Sequence, residues 1–302
     1  MFWAGVVPAL VLLVGMCFVP ETPRWLLSKG RLKECRKVLQ KIEPENTVND
    51  LIGQMEVEIE KDRNSAVGWR YLMQPWLRTP LMIAVCIMFF QQFVGINTVI
   101  YYSPKIFLMA GFESTLSAIW ASVGIGIVNV VFTVISLYLV DRIGRRKLYF
   151  IGLSGIAFSV LCLSACFIYA NQLGEIGRWL MVIFMFGYVA FFAISIGPLG
   201  WLVISEIFPQ KVRGLGTSIG SLAVWIFNCI VSFTFFKIID FFSIPGTEIV
   251  VGQTTSENPA GAFFLYGFIA VLGLVWGYLF LPETKGLSLE EIEQKWRKNR
   301  EC

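Results

Sequence analysis

Residues 80–102 read PLMIAVCIMFFQQFVGINTVIYY, an apolar run long enough to cross a bilayer as helix, which takes about 20 residues. Its second half carries three side-chain amides, Gln91, Gln92 and Asn97, and two phenols, Tyr101 and Tyr102. A polar group left unpaired in lipid is costly, so such a set turns toward a bundle interior or an aqueous cavity. Gly95 loosens the helix among the amides, and Pro104 is expected to break it just beyond. Amides both donate and accept hydrogen bonds, which is what a neutral polyhydroxylated ligand requires.

The whole chain repeats this apolar pattern. Its 302 residues are 56% apolar and 15% charged, with a mean hydropathy of +0.67, whereas a soluble domain is about 25% charged. The expected fold class is therefore all-α, a polytopic membrane helical bundle. A first span is expected at 1–19, then a cytoplasmic helical linker at 20–78, six spans within 79–281, and a cytoplasmic tail at 282–302. The six spans are placed at 79–103, 115–140, 147–170, 179–206, 212–239 and 262–281. Leu32, Cys35, Leu39 and Ile42, and again Val48, Leu51 or Ile52, Met55 and Ile59, recur at helical spacing. They predict two amphipathic linker helices lying against the membrane face rather than forming a separate domain. Ser288 and Glu291 form a capping box for a helix in the tail.

Of the 25 Lys and Arg, 22 fall on one side of this layout, leaving Lys105, Arg178 and Lys237 on the other. The positive-inside rule makes the crowded side, with the C-terminus, cytoplasmic. Seven spans with a cytoplasmic C-terminus put the N-terminus outside, and an odd count opening on an uncapped apolar helix predicts an upstream part. The first run lacks the basic lead-in of a cleavable leader. There is no histidine, and the seven cysteines are scattered. Cys162 and Cys166 share a helix face but have no further ligands nearby, so they read as small core residues.

Further polar residues interrupt the later spans. Asn129 is a lone amide at mid-span, equally readable as interhelical glue or as a ligand contact. In 197–213, Gly197 and Pro198 are expected to unwind the span, and Gly200 leaves room beside Trp201, whose indole suits the C–H face of a sugar ring. Glu206 is the one carboxylate well inside an apolar run and is expected to pair with Arg213, with a proton site as the alternative. Trp225 and Asn228 repeat the aromatic–amide signal more weakly. In 141–147, DRIGRRK, positive-inside topology explains Arg142, Arg145 and Arg146, but not Gly144 or Asp141. Gly144 suits a tight turn with φ > 0, and Asp141 suits a pairing with an arginine or a helix N-terminus.

PETPRWLLSKGR from Pro20, QQFVGINTVIYYSPKIF from Gln91, DRIGRRKL from Asp141, GWLVISEIFPQKVRG from Gly200 and PETKGLSLEEIE from Pro282 occur in this order. With this spacing the whole chain resembles the sugar porter family of the major facilitator superfamily, most closely its bacterial pentose and hexose–proton symporters. The resemblance implies the sixth span, the cytoplasmic linker and the C-terminal six-helix half of a twelve-span fold. It puts sugar contacts on Gln91, Gln92, Asn97, Tyr101, Asn129, Gly197, Trp201 and Trp225. It puts a cytoplasmic charge network and gate on Glu21, Arg24, Asp141, Arg142, Gly144, Arg145, Arg146, Glu206, Arg213 and Glu283. Val224 stands where several relatives have an amide, which removes one potential sugar hydrogen bond.

What the resemblance implies for function is uptake of a pentose or hexose across the plasma membrane, the inner membrane of a bacterium, by alternating access. Proton symport goes with the full-length family member, but the protonated aspartate of family symporters lies in a first span absent here. The alternative is a half that only binds sugar or needs a separate N-terminal half. Partners are then a monosaccharide, the lipid bilayer and that missing half, without nucleic acid. No cofactor or metal is expected beyond a proton as coupling ion. No nucleophile–base set or phosphate-cradling loop suggests an enzyme.

Overall fold

A computed structural model describes residues 2–64, 72–112, 114–242, 249–251 and 254–286. The chain forms two compact units, Met1–Val67 and Gly68–Cys302. The capping box expected at Ser288 and Glu291 lies outside the described residues.

The first unit opens with α1 (Phe2–Phe18), followed by α2 (Pro23–Ser28), α3 (Leu32–Leu39) and α4 (Glu45–Asn64). With 17 residues, α1 is about 25 Å long, the short end of what crosses a bilayer. Pro23 starts α2, where its missing N–H costs nothing. The periodicity of the linker is realised as a core: Leu26, Cys35, Leu39, Val48 and Ile52 bury against one another, with Met55 packed on them. The linker helices thus share a small core of their own. Burial also pushes the Cys35 thiol pKa up.

The second unit contains six helical spans long and apolar enough to cross a membrane, among the described residues. Four are single helices: α7 (Thr115–Ile143), α8 (Arg145–Ile168), α11 (Gln210–Phe241) and α12 (Ala260–Phe280). The other two are broken, as α5 (Arg78–Phe93) with α6 (Ile96–Met109), and α9 (Ala170–Ile194) with α10 (Ile196–Ile207). A short antiparallel ribbon, β1 (Ile249–Val251) with β2 (Thr254–Ser256), precedes α12 and was not expected. Helix α8 packs most extensively against α9 and α12, and α5 against α11. At the α8–α12 contact, Gly277 lies under the Tyr149 ring, whose hydroxyl donates to the Gly273 carbonyl at 3.0 Å. By contrast α7 buries little of itself, leaving Trp120, Ile127, Val130, Leu137 and others exposed.

Both breaks differ from expectation. Pro104 does not end its helix, since α6 runs through it to Met109. The Ile100 carbonyl, which loses its i+4 donor at Pro104, receives the Ser103 hydroxyl at 3.4 Å instead. The second break falls on Ser195 (φ −119°, ψ −103°) rather than on Gly197–Pro198. Pro198 is the third residue of α10, where a backbone N–H has no intrahelical partner to lose.

Candidate functional site

The first break is built around Gly95, whose φ of 87° is left-handed. A Cβ there would overlap the Tyr266 ring, so both conformation and space require glycine. The Val94 carbonyl beside it accepts the Tyr188 hydroxyl at 2.8 Å, and the Gly95 carbonyl accepts Thr98 Oγ1 at 2.7 Å. At the second break, Ser136 of α7 donates to the Ile194 carbonyl at 2.7 Å.

Between the breaks runs a chain of amides. Asn97 Nδ2 donates to Gln92 Oε1 at 2.6 Å, and Gln92 Nε2 to Gln91 Oε1 at 3.2 Å. Gln91 Nε2 then donates to the carbonyls of Ile196 at 3.0 Å and Gly197 at 2.7 Å. Two carbonyls can face only an NH2 group, so the orientation of Gln91 is fixed, and that of Gln92 and Asn97 follows. The space at Gly200, expected to serve Trp201, is occupied by the Gln91 amide, 3.0 Å from where a Cβ would stand.

This chain forms one wall of a cavity of about 310 Å³, whose lining includes Gln91, Gln92, Asn97, Asn129, Thr133, Gly197 and Pro198. Ile96, Ile100, Phe192, Ala193, Trp201 and Val224 complete it. No charged side chain lines it, the Asn97 Oδ1 and second N–H are uncommitted in the chain above, and Trp201 presents an indole. A neutral ring with hydroxyls at its edge and C–H on its face matches that lining.

Six of the eight expected sugar contacts are therefore brought together, and two are not. Tyr101 is about half exposed outside the lining, with Asn228 Nδ2 at 3.5 Å from its hydroxyl. Trp225 is exposed, and its neighbour Val224 faces the cavity in its place. Thr133 and Phe192 were not singled out as contacts. Thr133 is four residues from Asn129 and so on the same helix face, a signal that spacing held.

A second cavity of about 460 Å³ shares Pro198 and Trp201 with the first and extends past Ser136 and Ser205 to Asp141 and Arg145. There the charged cluster begins. Arg145 donates to Glu206 Oε1 through Nη2 at 2.9 Å and through Nε at 3.2 Å, and sits 3.3 Å from Asp141. Glu206 Oε2 accepts Thr284 Oγ1 at 2.5 Å. The expected Glu206–Arg213 pair is not made: Arg145 occupies Glu206, and Arg213 Nε and Nη2 are buried without a hydrogen-bond partner among the described residues.

Glu283 caps the start of α8, accepting the backbone N–H of Arg145 at 3.0 Å and of Arg146 at 3.2 Å. A carboxylate there meets both the orphan donors and the positive end of the helix dipole. Gly144, with φ 95°, makes the turn, and a Cβ on it would lie 2.9 Å from Glu283 Oε2. Arg146 reaches the Tyr278 carbonyl at 2.7 Å, and Arg142 contributes its carbonyl to Lys285 Nζ at 2.8 Å. Glu21 and Arg24 belong to the Met1–Val67 unit.

Six apolar spans, two of them broken around a neutral polar cavity, define an integral membrane protein with half of a secondary-transporter fold. The chain belongs to the Sugar (and other) transporter family, whose sequence model matches residues 1–296. It is 36% identical over 297 residues to the glucose transporter GlcP of Staphylococcus epidermidis, covering 98% of this chain and 62% of that one. It is 34% identical over 296 residues to the D-xylose-proton symporter of Escherichia coli K12, covering 98% of this chain and 56% of that one. The structure of the proton:xylose symporter XylE bound to 6-bromo-6-deoxy-D-glucose aligns with a TM-score of 0.74 at 33% identity. That alignment covers 97% of this chain and 58% of the symporter. The chain thus spans less than two thirds of these relatives, with the major facilitator fold over that part.

Proposed function

We propose that this chain is the sugar-binding half of a carbohydrate transporter that takes up a pentose or hexose by alternating access. The observation that carries the reading is the uncharged cavity, lined by side-chain amides and by the Trp201 indole. The named substrates of the similar glucose transporter and D-xylose-proton symporter fit the same chemistry. Asn97, Gln92, Asn129 and Trp201 are assigned as sugar contacts, with Gln91 and Gly197 shaping the wall and Tyr101 and Trp225 bordering it.

The Lys and Arg distribution supports a cytoplasmic Arg145–Glu206 cluster and C-terminus, and the similar bacterial glucose transporter and D-xylose-proton symporter support placement in a bacterial inner membrane. That cluster would close the cytoplasmic side when the site faces outward. The exposed apolar faces of α7 and α11 beside the cavity favour an N-terminal six-span half as the partner that completes the site. No titratable carboxylate lines the cavity, so proton coupling is assigned to that partner half.

The test is binding of D-xylose and D-glucose to the purified chain in nanodiscs, alone and co-assembled with an N-terminal half, by isothermal titration calorimetry. Binding that disappears in Asn97→Ala and Trp201→Ala supports the reading. No binding in either format overturns it.

A further inference from the structure

Each broken span is held at its break by a side chain of the other. The Val94 carbonyl, at the end of α5, accepts the hydroxyl of Tyr188 from α9 at 2.8 Å. The carbonyls of Ile196 and Gly197, at the start of α10, accept the amide of Gln91 from α5. Both donors are buried, Tyr188 fully and Gln91 to within 3%. Burial makes the exchange costly, because a carbonyl that loses its donor there meets no water in return.

The tie extends into α6. Both hydrogens of the Gln91 amide go to α10, and its oxygen receives Gln92, whose own oxygen receives Asn97. An unbroken hydrogen-bond path therefore leads from Asn97 on α6, across the Gly95 break, through α5, and onto α10 just past the Ser195 break. Swinging α6 about Gly95 pulls on Gln92, and swinging α10 about Ser195 pulls on Gln91, which lie side by side. Tyr188 pins the end of α5, three residues beyond Gln91, to α9, the first helix of the other broken span.

We propose that Gln91 and Tyr188 are positioning residues that form a reciprocal strap, coupling the two breaks so that α6 and α10 move together. Gln91, which also lines the cavity, then acts by holding α10. The strap stands on hydrogen-bond geometry, and only its purpose as a linked pair of gates rests on the proposed transport.

The test is hydrogen–deuterium exchange of the full chain in nanodiscs without sugar, comparing wild type with Tyr188→Phe and Gln91→Met. Each variant removes donors while keeping most of the side chain's bulk. Tyr188→Phe, a change on α9, is expected to speed exchange about fivefold in peptides covering 93–100 and also in those covering 194–201. Gln91→Met, a change on α5, is expected to do the same at 194–201 and to spread to 93–100. The two changes start from opposite spans, so one folded variant suffices to read the coupling. Exchange raised in only one of the two breaks, or raised evenly over all six spans, overturns the strap.

D-xylose binding to wild type, measured in parallel, separates the two ideas. No binding with coupled exchange removes the sugar reading and leaves the strap. Binding with uncoupled exchange removes the strap and leaves the sugar reading.

Discussion

The two broken spans reach the same shape by opposite means. Between α5 and α6, the break sits on a residue whose own backbone demands it, Gly95 at φ 87°. Between α9 and α10, it sits on Ser195, at φ −119° and ψ −103°, a conformation whose negative φ does not call for glycine. What makes room for Ser195 is a glycine on another helix: a Cβ on Gly152 of α8 would overlap Ser195 Oγ and Cβ. One break is thus specified locally, and the other by its neighbour. Both leave carbonyls to be satisfied, and both have them satisfied from adjacent helices, by Tyr188 in one case and by Ser136 and Gln91 in the other.

The sharpest way to break this contrast is at Gly95. Gly95→Ala adds a left-handed penalty of about 1–2 kcal/mol to an overpacking cost of about 1–3 kcal/mol against the Tyr266 ring. The expected result is little or no monodisperse protein by size-exclusion chromatography, or a large loss of thermal stability where some survives. Adding Tyr266→Ala relieves the overlap but not the backbone, so recovery should be partial. Full recovery in the double variant would mean that the break is set by packing alone.

Gly152→Ala is the counterpart, with only the steric cost of about 1–3 kcal/mol or somewhat more. Here the second change should succeed. Ser195→Gly removes both overlapping atoms, leaving the Phe191 carbonyl oxygen 3.0 Å from the new methyl. Most of the lost thermal stability is expected to return. If Ser195→Gly returns no more of it than Tyr266→Ala returns at Gly95, the two breaks do not differ in kind.

This difference also decides what could be read from sequence. Gly95 among three amides was legible because glycine reports its own backbone need. Ser195 was not, because its reason lies 43 positions away at Gly152, and Gly197–Pro198 drew the reading two residues too far along. The six spans after the linker were legible from hydropathy, as were six of the cavity's thirteen lining residues, Gln91, Gln92, Asn97, Asn129, Gly197 and Trp201. What spacing could not give was rotation: Val224 and Trp225 are neighbours about 100° apart on α11, and only the valine faces in. The charged cluster shows the same limit. Its members were identified, but Glu206 takes Arg145 from 61 residues away rather than the nearer Arg213, and Glu283 serves a helix start rather than a side chain.

The smallest expected effect tests the displaced proline. If Pro198 created the break, Pro198→Ala would let α9 and α10 join into one helix. The geometry says otherwise. Ser195 already departs from helix before Pro198 is reached, and the Ser195 nitrogen is bonded to Phe192 O at 3.1 Å in the closing turn. Pro198 stands within the first turn of α10, where its N–H would have had no helical acceptor. Alanine there forfeits only the unfolded-state restriction of proline, under about 1 kcal/mol, and opens a little space at the boundary shared by the two cavities. Thermal stability is expected to move by no more than a few degrees, with the exchange pattern at 194–201 unchanged. A marked slowing of exchange there would show the two helices fusing, and would return the break to the Gly-Pro pair.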